Sequence, residues 1–387
     1  MNNFVFQNPT KIYFGKNQLS HLKEEIKQFG NNVLLVYGSG SIKRIGLYDK
    51  VMSVLKEAGV NVSELSGVEP NPRHTTVNRG ADICKKEHID VLLAVGGGST
   101  IDCTKAIAAA AFYDGDCWDL VKRKAPVTKA LPILTVLTLA ATGSEMDCVI
   151  SNMDTHEKLG LVHPLLFPKV SFLDPENTFS VNAFQTACGS ADILSHVFDC
   201  NYFTADDRMD MACRIQEEVI RTVVRYAPIA MKEPENYEAR ANLMWASTWA
   251  LNGFLDNGIS QAAVCHMMEH ELSAFYDITH GLGLAILTPR WMEYILDEGT
   301  APQLKRFGTR IFGVDESLSD MEGAKEAINR LSKFLYQDLN LQSRLSDLGI
   351  DDGHFAEMAQ KACNGGIMKS IKDLTPNDVE AIFRMCL

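Results

Sequence analysis

Asp192 and His196 stand four residues apart, His266 and His270 repeat that spacing, and His280 follows directly before Gly281. Residues four apart share one face of a helix, so two such helices can bring a carboxylate and several imidazoles to one point. One oxygen with three imidazole nitrogens suits a borderline divalent ion such as Zn²⁺ or Fe²⁺ better than Ca²⁺ or Cu(I). A single histidine in this setting reads more readily as a hydrogen-bonded interior residue. The cluster shifts that reading, because its neighbours Ala262, Ala263, Val264, Met267 and Met268 are small or apolar, and an isolated buried carboxylate is costly.

Two glycine turns suggest a second chemistry. Gly38-Ser39-Gly40-Ser41 follows Val33–Tyr37, and Gly96-Gly97-Gly98-Ser99 follows Val91–Val95. A strand that ends in glycines and opens a helix lets backbone N–H groups approach a phosphate and adds the helix dipole. The first turn has Lys43 where the dinucleotide fingerprint has its third glycine, and either turn alone could be structural. Their repetition in successive units favours nucleotide binding. NAD-specific sites normally offer the ribose a carboxylate. Residues 38–44 offer Ser39, Ser41, Lys43 and Arg44 and no acid, which predicts NADP(H) over NAD(H).

These residues need elements to hold them. Up to about residue 175, β-branched runs alternate with helical patterns, as in a parallel sheet with crossover helices: strands at 33–37, 60–62, 91–95 and 133–137, helices at 47–58, 75–87 and 101–111. Beyond Asp174-Pro175-Glu176-Asn177 the pattern becomes helical, with long segments over 206–226, 236–254 and 259–276. The expectation is an α/β dinucleotide-binding domain over 1–177 and an all-helical metal-binding domain over 178–387, with a ligand cleft between them.

Composition narrows the partners. The 387 residues include 37 basic and 49 acidic side chains, for a net charge of −12 with no long run of either sign, so no phosphate-neutralising stripe marks a nucleic-acid partner. No apolar stretch approaches the roughly 20 residues that span a bilayer, and no basic stretch with an apolar core opens the chain. Ten cysteines without a C-x-x-C pair suit a reducing cytoplasm.

Taken together, the motifs resemble those of the group III, iron-containing alcohol dehydrogenases, and within them the butanol dehydrogenase and broad-range aldehyde reductase branch. The resemblance runs along the whole chain: Asn8-Pro9-Thr10-Lys11-Ile12-Tyr13-Phe14-Gly15, Glu69-Pro70-Asn71-Pro72, Gly96 to Asp102, Thr142-Gly143-Ser144-Glu145, Gly189-Ser190-Ala191-Asp192, His266 to His270 and His280-Gly281. It implies a Rossmann-like domain joined to a helical one, the dehydroquinate-synthase-like architecture, and a homodimer. It also implies that Asp192, His196, His266 and His280 ligate one divalent metal, Fe²⁺ or Zn²⁺ with Co²⁺ or Mn²⁺ as alternatives, while His270 stays unligated near the substrate. Gly97, Gly98 and Ser99 would receive the pyrophosphate, Asn71 and Asp102 would help hold the cofactor, Thr138, Leu139 and Thr142 would line its nicotinamide end, and Lys158 would approach the ribose on that side. Asp147 stands where the family often has threonine or asparagine.

The chemistry expected from this set is hydride transfer between NADP(H) and short- to medium-chain aliphatic aldehydes or alcohols such as butanal and butanol. A metal lowers the pKa of the alcohol oxygen or polarises the carbonyl, and His270 relays the proton or merely orients a ligand. Phe254, Leu255, Met267 and Met268 are candidate pocket walls. Rivals on the same architecture are glycerol-dehydrogenase-like and dehydroquinate-synthase-like enzymes. Residues 250–283 contain no Lys or Arg for an anionic substrate, which weighs against the second. A nucleotide or metal sensor without turnover is the rival from another class.

Overall fold

The Val-, Ile- and Leu-rich runs fold as a fully parallel sheet of six strands in the order β1-β8-β5-β4-β2-β3. These are β1 (Lys11–Phe14), β2 (Asn32–Tyr37), β3 (Asn61–Leu65), β4 (Val91–Gly96), β5 (Ile133–Leu137) and β8 (Val170–Leu173). The computed structural model describes residues 2–141, 143–144, 149–204, 210–255, 257–259 and 262–387. Packing divides them into two compact units. One comprises 7–181 with 234–248; the other comprises the amino-terminal residues through Phe6, 182–233 and 249–387.

In the first unit, β2, β4 and β5 are buried on both faces, as a parallel sheet covered by crossover helices requires. Alternate side chains feed two cores, with Leu34, Val36 and Leu92 on one side and Val33, Leu35, Val91 and Leu93 on the other. Crossovers run through α1 (Leu47–Ala58), α2 (His74–Lys86) and α3 (Gly98–Ala110). The chain leaves β2 outward to β3, returns to β4 beside β2, and then moves the opposite way to β5. The turns after β2 and β4 therefore flank a switch point at the carboxyl edge of the sheet, where open α/β sheets hold ligands.

Some local expectations are revised. Helix α3 begins at Gly98, three residues earlier than the apolar pattern implies, because the preceding Gly97 is already extended and serves as its cap. The edge strand β1, its neighbour β8, and an antiparallel hairpin of β6 (Val149–Asn152) and β7 (Glu157–Gly160) escaped the sequence reading. Strands of four residues give too short a pattern to register.

The second unit contains α4 (Ala183–Val197), α5 (Asp210–Lys232), α7 (Val264–Tyr276) and α8 (His280–Ile295), followed by shorter helices to the carboxyl end; α6 (Tyr237–Ala250) lies largely in the first unit. The Asn182 side chain caps α4 by accepting the Gln185 N–H at 2.8 Å. Helix α4 then runs into a wide π-turn over Phe198–Tyr202, closed by the Phe203 N–H on the Phe198 carbonyl at 2.9 Å. Helix α7 starts at Val264 rather than near 259, because Ala263 adopts a left-handed φ of 59°. Among the described residues no helix is long and apolar enough to cross a membrane, and no disulfide joins two of the described cysteines.

Two glycines decide how closely the site helices approach. A Cβ on Gly281 would sit 2.0 Å from the Cys188 carbonyl oxygen of α4, and one on Gly283 would sit 2.8 Å from Glu269 Cγ of α7. Both follow His280 within one turn, so the contact that needs glycine also sets the position of that imidazole. Gly281→Ala is expected to destabilise the helical unit by about 1–3 kcal/mol, the range for overpacking, and to lower the thermal midpoint measured by circular dichroism. An unchanged midpoint would show that the helices can separate without cost.

Candidate active site

Four of the five residues singled out for metal chemistry meet in the helical unit. Around Asp192 Oδ1 lie His196 Nε2 at 3.2 Å, His280 Nε2 at 3.6 Å and His266 Nε2 at 3.8 Å. Asp192, His196 and His266 are buried. Despite these short separations, Asp192 Oδ1, both ring nitrogens of His196 and His266 Nε2 make no hydrogen bond and see no solvent. Buried polar atoms are rarely left unsatisfied. Three of them, Asp192 Oδ1, His196 Nε2 and His266 Nε2, turn toward one another and toward His280 Nε2, and one oxygen with three nitrogens is a donor set for a borderline divalent ion.

The outward nitrogens are held from behind. His266 Nδ1 lies 3.1 Å from Asp199 Oδ1, and Asp199 Oδ2 accepts the His266 backbone N–H at 3.0 Å. One carboxylate thus caps the start of α7 and orients the first imidazole on it. Glu269 does the same for His280, pairing with its Nδ1 while accepting the Ser273 hydroxyl through its other oxygen. Carboxylates behind ligating histidines fix the ring and the tautomer, and raise ligand basicity. His270 is buried with its ring 5.9 Å from that of His280, beside the four rather than among them.

The ionic states follow from this packing. Burial would raise the Asp192 carboxyl, but His196 and His280 outweigh it and hold it well below the usual carboxylate range. For His196, burial favours the neutral ring, yet the Asp192 charge overrides it and lifts its pKa to about 9. His266 is likewise disfavoured as a cation by burial, and is raised well above its ordinary value chiefly by Asp199.

The nucleotide candidates lie in the other unit. Gly38, Ser39, Gly40 and Ser41 follow β2, with Ser39 and Ser41 exposed. A Cβ at Gly96 would fall 2.4 Å from Thr100 Oγ1, and one at Gly97 would fall 3.3 Å from the Leu139 Cβ, so this turn admits only bare backbone. Ser99 sits in the first turn of α3, and that turn carries no acidic side chain; Thr138 donates its N–H to the Gly96 carbonyl at 3.0 Å. Asp102 is engaged by the Ser144 hydroxyl, and Lys105 Nζ donates to the Ser144 carbonyl, tying the end of the loop after β5 to α3. Asn71 is buried with a left-handed φ of 50°, and Lys158 is buried on β7. Thr142 and Asp147 lie outside the described residues.

Comparison with known proteins matches residues 9–175 to the iron-containing alcohol dehydrogenase model and 186–387 to the carboxy-terminal model of the same family. The chain belongs to the iron-containing alcohol dehydrogenases. It is 49% identical to the NADH-dependent butanol dehydrogenase A of Clostridium acetobutylicum, with 99% of each chain covered. It is 37% identical to the NADPH-dependent aldehyde reductase of Escherichia coli over 93% of each. The crystal structure of the NADH-dependent butanol dehydrogenase A of Thermotoga maritima superposes with a TM-score of 0.94 at 39% identity, covering 100% of this chain and 99% of that one. An iron-containing alcohol dehydrogenase works with a nicotinamide nucleotide and iron or another divalent metal, and alcohol dehydrogenase or aldehyde reductase activity follows from membership.

In this iron-containing alcohol dehydrogenase, sequence reasoning missed Asp199, Glu269 and Cys200. The carboxylates carried a signal: Asp199 lies three residues after His196, and Glu269 directly precedes His270. Cys200 carried none, and its place beside His266 is decided by the π-turn. Of the proposed pocket walls, Leu255 and Met268 are buried in the core, whereas Met267 is 36% exposed.

Because the raised imidazoles of the metal-free site must lose protons before they ligate, metal affinity is expected to rise with pH from 6 until it levels near the His196 value of about 9. The gain approaches tenfold per pH unit for each proton displaced. Chelator competition across this range measures it, and a flat profile would show that the histidines are already neutral.

Proposed function

We propose that the chain reduces short- to medium-chain aliphatic aldehydes such as butanal, and oxidises the corresponding alcohols, with NADPH as the preferred nucleotide. The observation that carries this reading is the convergence of three imidazole Nε2 atoms on Asp192 Oδ1, with Asp192 Oδ1, His196 Nε2 and His266 Nε2 buried and without hydrogen bonds. We assign Asp192, His196, His266 and His280 as the metal ligands. A divalent ion bound there supplies Lewis acidity to the substrate oxygen, while the nicotinamide supplies or accepts the hydride.

The chain's own groups do the rest. Asp192 contributes the one negative charge of the ligand set, and Asp199 and Glu269 hold the rings of His266 and His280 with Nε2 facing inward. Apolar α7 and α8 side chains such as Met268, Leu272 and Leu284 are fully buried, which keeps water from the polar cluster. His270 is the assigned proton relay: the oxygen gains a proton in reduction and loses one in oxidation, and imidazole exchanges protons near neutral pH. The absence of Lys and Arg from 250–283 favours an uncharged substrate.

For the nucleotide, Gly97, Gly98 and Ser99 at the start of α3 supply amides for the pyrophosphate, with Asn71, Asp102, Thr138, Leu139 and Lys158 assigned as further contacts. Support for NADPH comes from the turn after β2, where Ser39, Ser41, Lys43 and Arg44 are exposed and no carboxylate stands to repel a 2′-phosphate. The carboxylate of Glu64, on β3, is occupied by the hydroxyls of Tyr37 at 2.7 Å and Tyr48 at 2.9 Å. Relatives are named for either nucleotide, so this turn is the feature to test.

Butanal reduction measured with each nucleotide, before and after chelation and after reconstitution with Fe²⁺, Zn²⁺, Co²⁺ or Mn²⁺, checks the whole reading. Expected are loss of at least nine-tenths of the rate on chelation, recovery with metal, and a kcat/KM for NADPH about tenfold or more above that for NADH. Undiminished reduction after chelation overturns the metal mechanism, and equal nucleotide efficiencies overturn the NADPH assignment. His270→Phe is expected to lower kcat by about 10²-fold, the lower end of general acid–base contributions, with bound metal unchanged. Wild-type turnover in that variant would leave His270 an orienting residue.

A further inference from the structure

We infer that the far side of the same histidines forms a second, thiolate-containing site for a soft divalent cation. Cys200, in the π-turn after α4, places Sγ 3.9 Å from His266 Nδ1 and 3.7 Å from Asp199 Oδ1; the latter two atoms are 3.1 Å apart. Bonds of 2.0–2.1 Å to nitrogen or oxygen and 2.3 Å to sulfur give tetrahedral edges of about 3.3–3.6 Å, so the three atoms need move only by tenths of an ångström. His196 joins the group, since one of its ring nitrogens, Cys200 Sγ and a ring nitrogen of His266 all lie within 4.8 Å of one another.

An independent observation points the same way. His196 is buried and neither of its ring nitrogens makes a hydrogen bond. The Asp192-centred set uses only Nε2, which leaves Nδ1 buried and unpartnered. A second cation gives it a partner.

The two sets differ in chemical character. Around Asp192 stand one oxygen and three nitrogens. Around Cys200 stand one sulfur, two nitrogens and one oxygen, and thiolate selects softer ions. The site would take Zn²⁺, Cd²⁺ or Co²⁺ in preference to Mg²⁺, Ca²⁺ or Mn²⁺. Binding forms the metal–sulfur bond as the thiol proton and any proton on the ligating nitrogens of His196 and His266 leave to solvent, with no change of oxidation state. It also takes His266 Nδ1 away from Asp199, so occupancy there acts on a histidine that both sets share.

The test is a titration of the full chain with Co²⁺, followed by the thiolate-to-Co²⁺ charge-transfer absorption in the near ultraviolet. The wild-type chain is expected to develop this band by two equivalents. Cys200→Ser is expected to lose more than half of its intensity, and Asp192→Asn, which disables the other set, to retain more than half. No band in the wild type, or a band in Cys200→Ser with at least half the wild-type intensity, overturns the site. Loss of the band in Asp192→Asn overturns its independence from the first set. Far-ultraviolet circular dichroism identifies a variant that has not folded; Cys200→Ala then replaces Cys200→Ser, and Asp192→Ala replaces Asp192→Asn. Loss of butanal reduction on chelation, with no charge-transfer band, would leave the proposed function standing and remove this site alone.

Discussion

A carboxylate buried among apolar helices is the constraint from which the helical unit is organised. Asp192 is almost fully enclosed, and an isolated charge there would carry a desolvation cost that no packing gain offsets. It persists because imidazoles from three directions stand within 3.8 Å of it. Two of those imidazoles, His266 and His280, are aimed by further buried carboxylates, Asp199 and Glu269. The polar cluster thus grows outward until every negative group faces a histidine or a backbone N–H.

That requirement explains features of the fold that would otherwise look incidental. The π-turn after α4 widens the backbone where Asp199 must reach α7; extra-wide turns of this kind often sit at functional sites. Gly281 and Gly283 let α8 approach α4 and α7 so closely that His280 comes within reach of Asp192. The α/β unit meets a comparable demand with different means. At its switch point the glycine turn after β4 admits only bare backbone ahead of α3, and Asp102, Ser144 and Lys105 lock a neighbouring loop against that helix.

Much of this was legible in the residues. The paired spacings of Asp192 with His196 and of His266 with His270 announce shared helix faces, and the apolar runs of β2, β4 and β5 announce buried parallel strands. Less was legible where an element is too short or too unusual to leave a periodic trace. Strands β1 and β8 have four residues each, the hairpin of β6 and β7 is equally short, and the π-turn departs from the period that sequence patterns report. Cys200 is the clearest instance, since only that turn brings it beside His266.

The amino-acid sequence by itself determined the donor types, their spacing along each helix and the glycines that permit close approach, because these depend on residue chemistry and on the local helical period. It determined family membership for the same reason. Only the tertiary structure decided which nitrogens face inward. An imidazole offers two, and for His266 and His280 the choice rests on hydrogen bonds to Asp199 and Glu269, the first of them 67 residues distant along the chain from the ring it orients. Tautomer and orientation are set by what packs behind a ring, and packing between helices so far apart in sequence has no local signature.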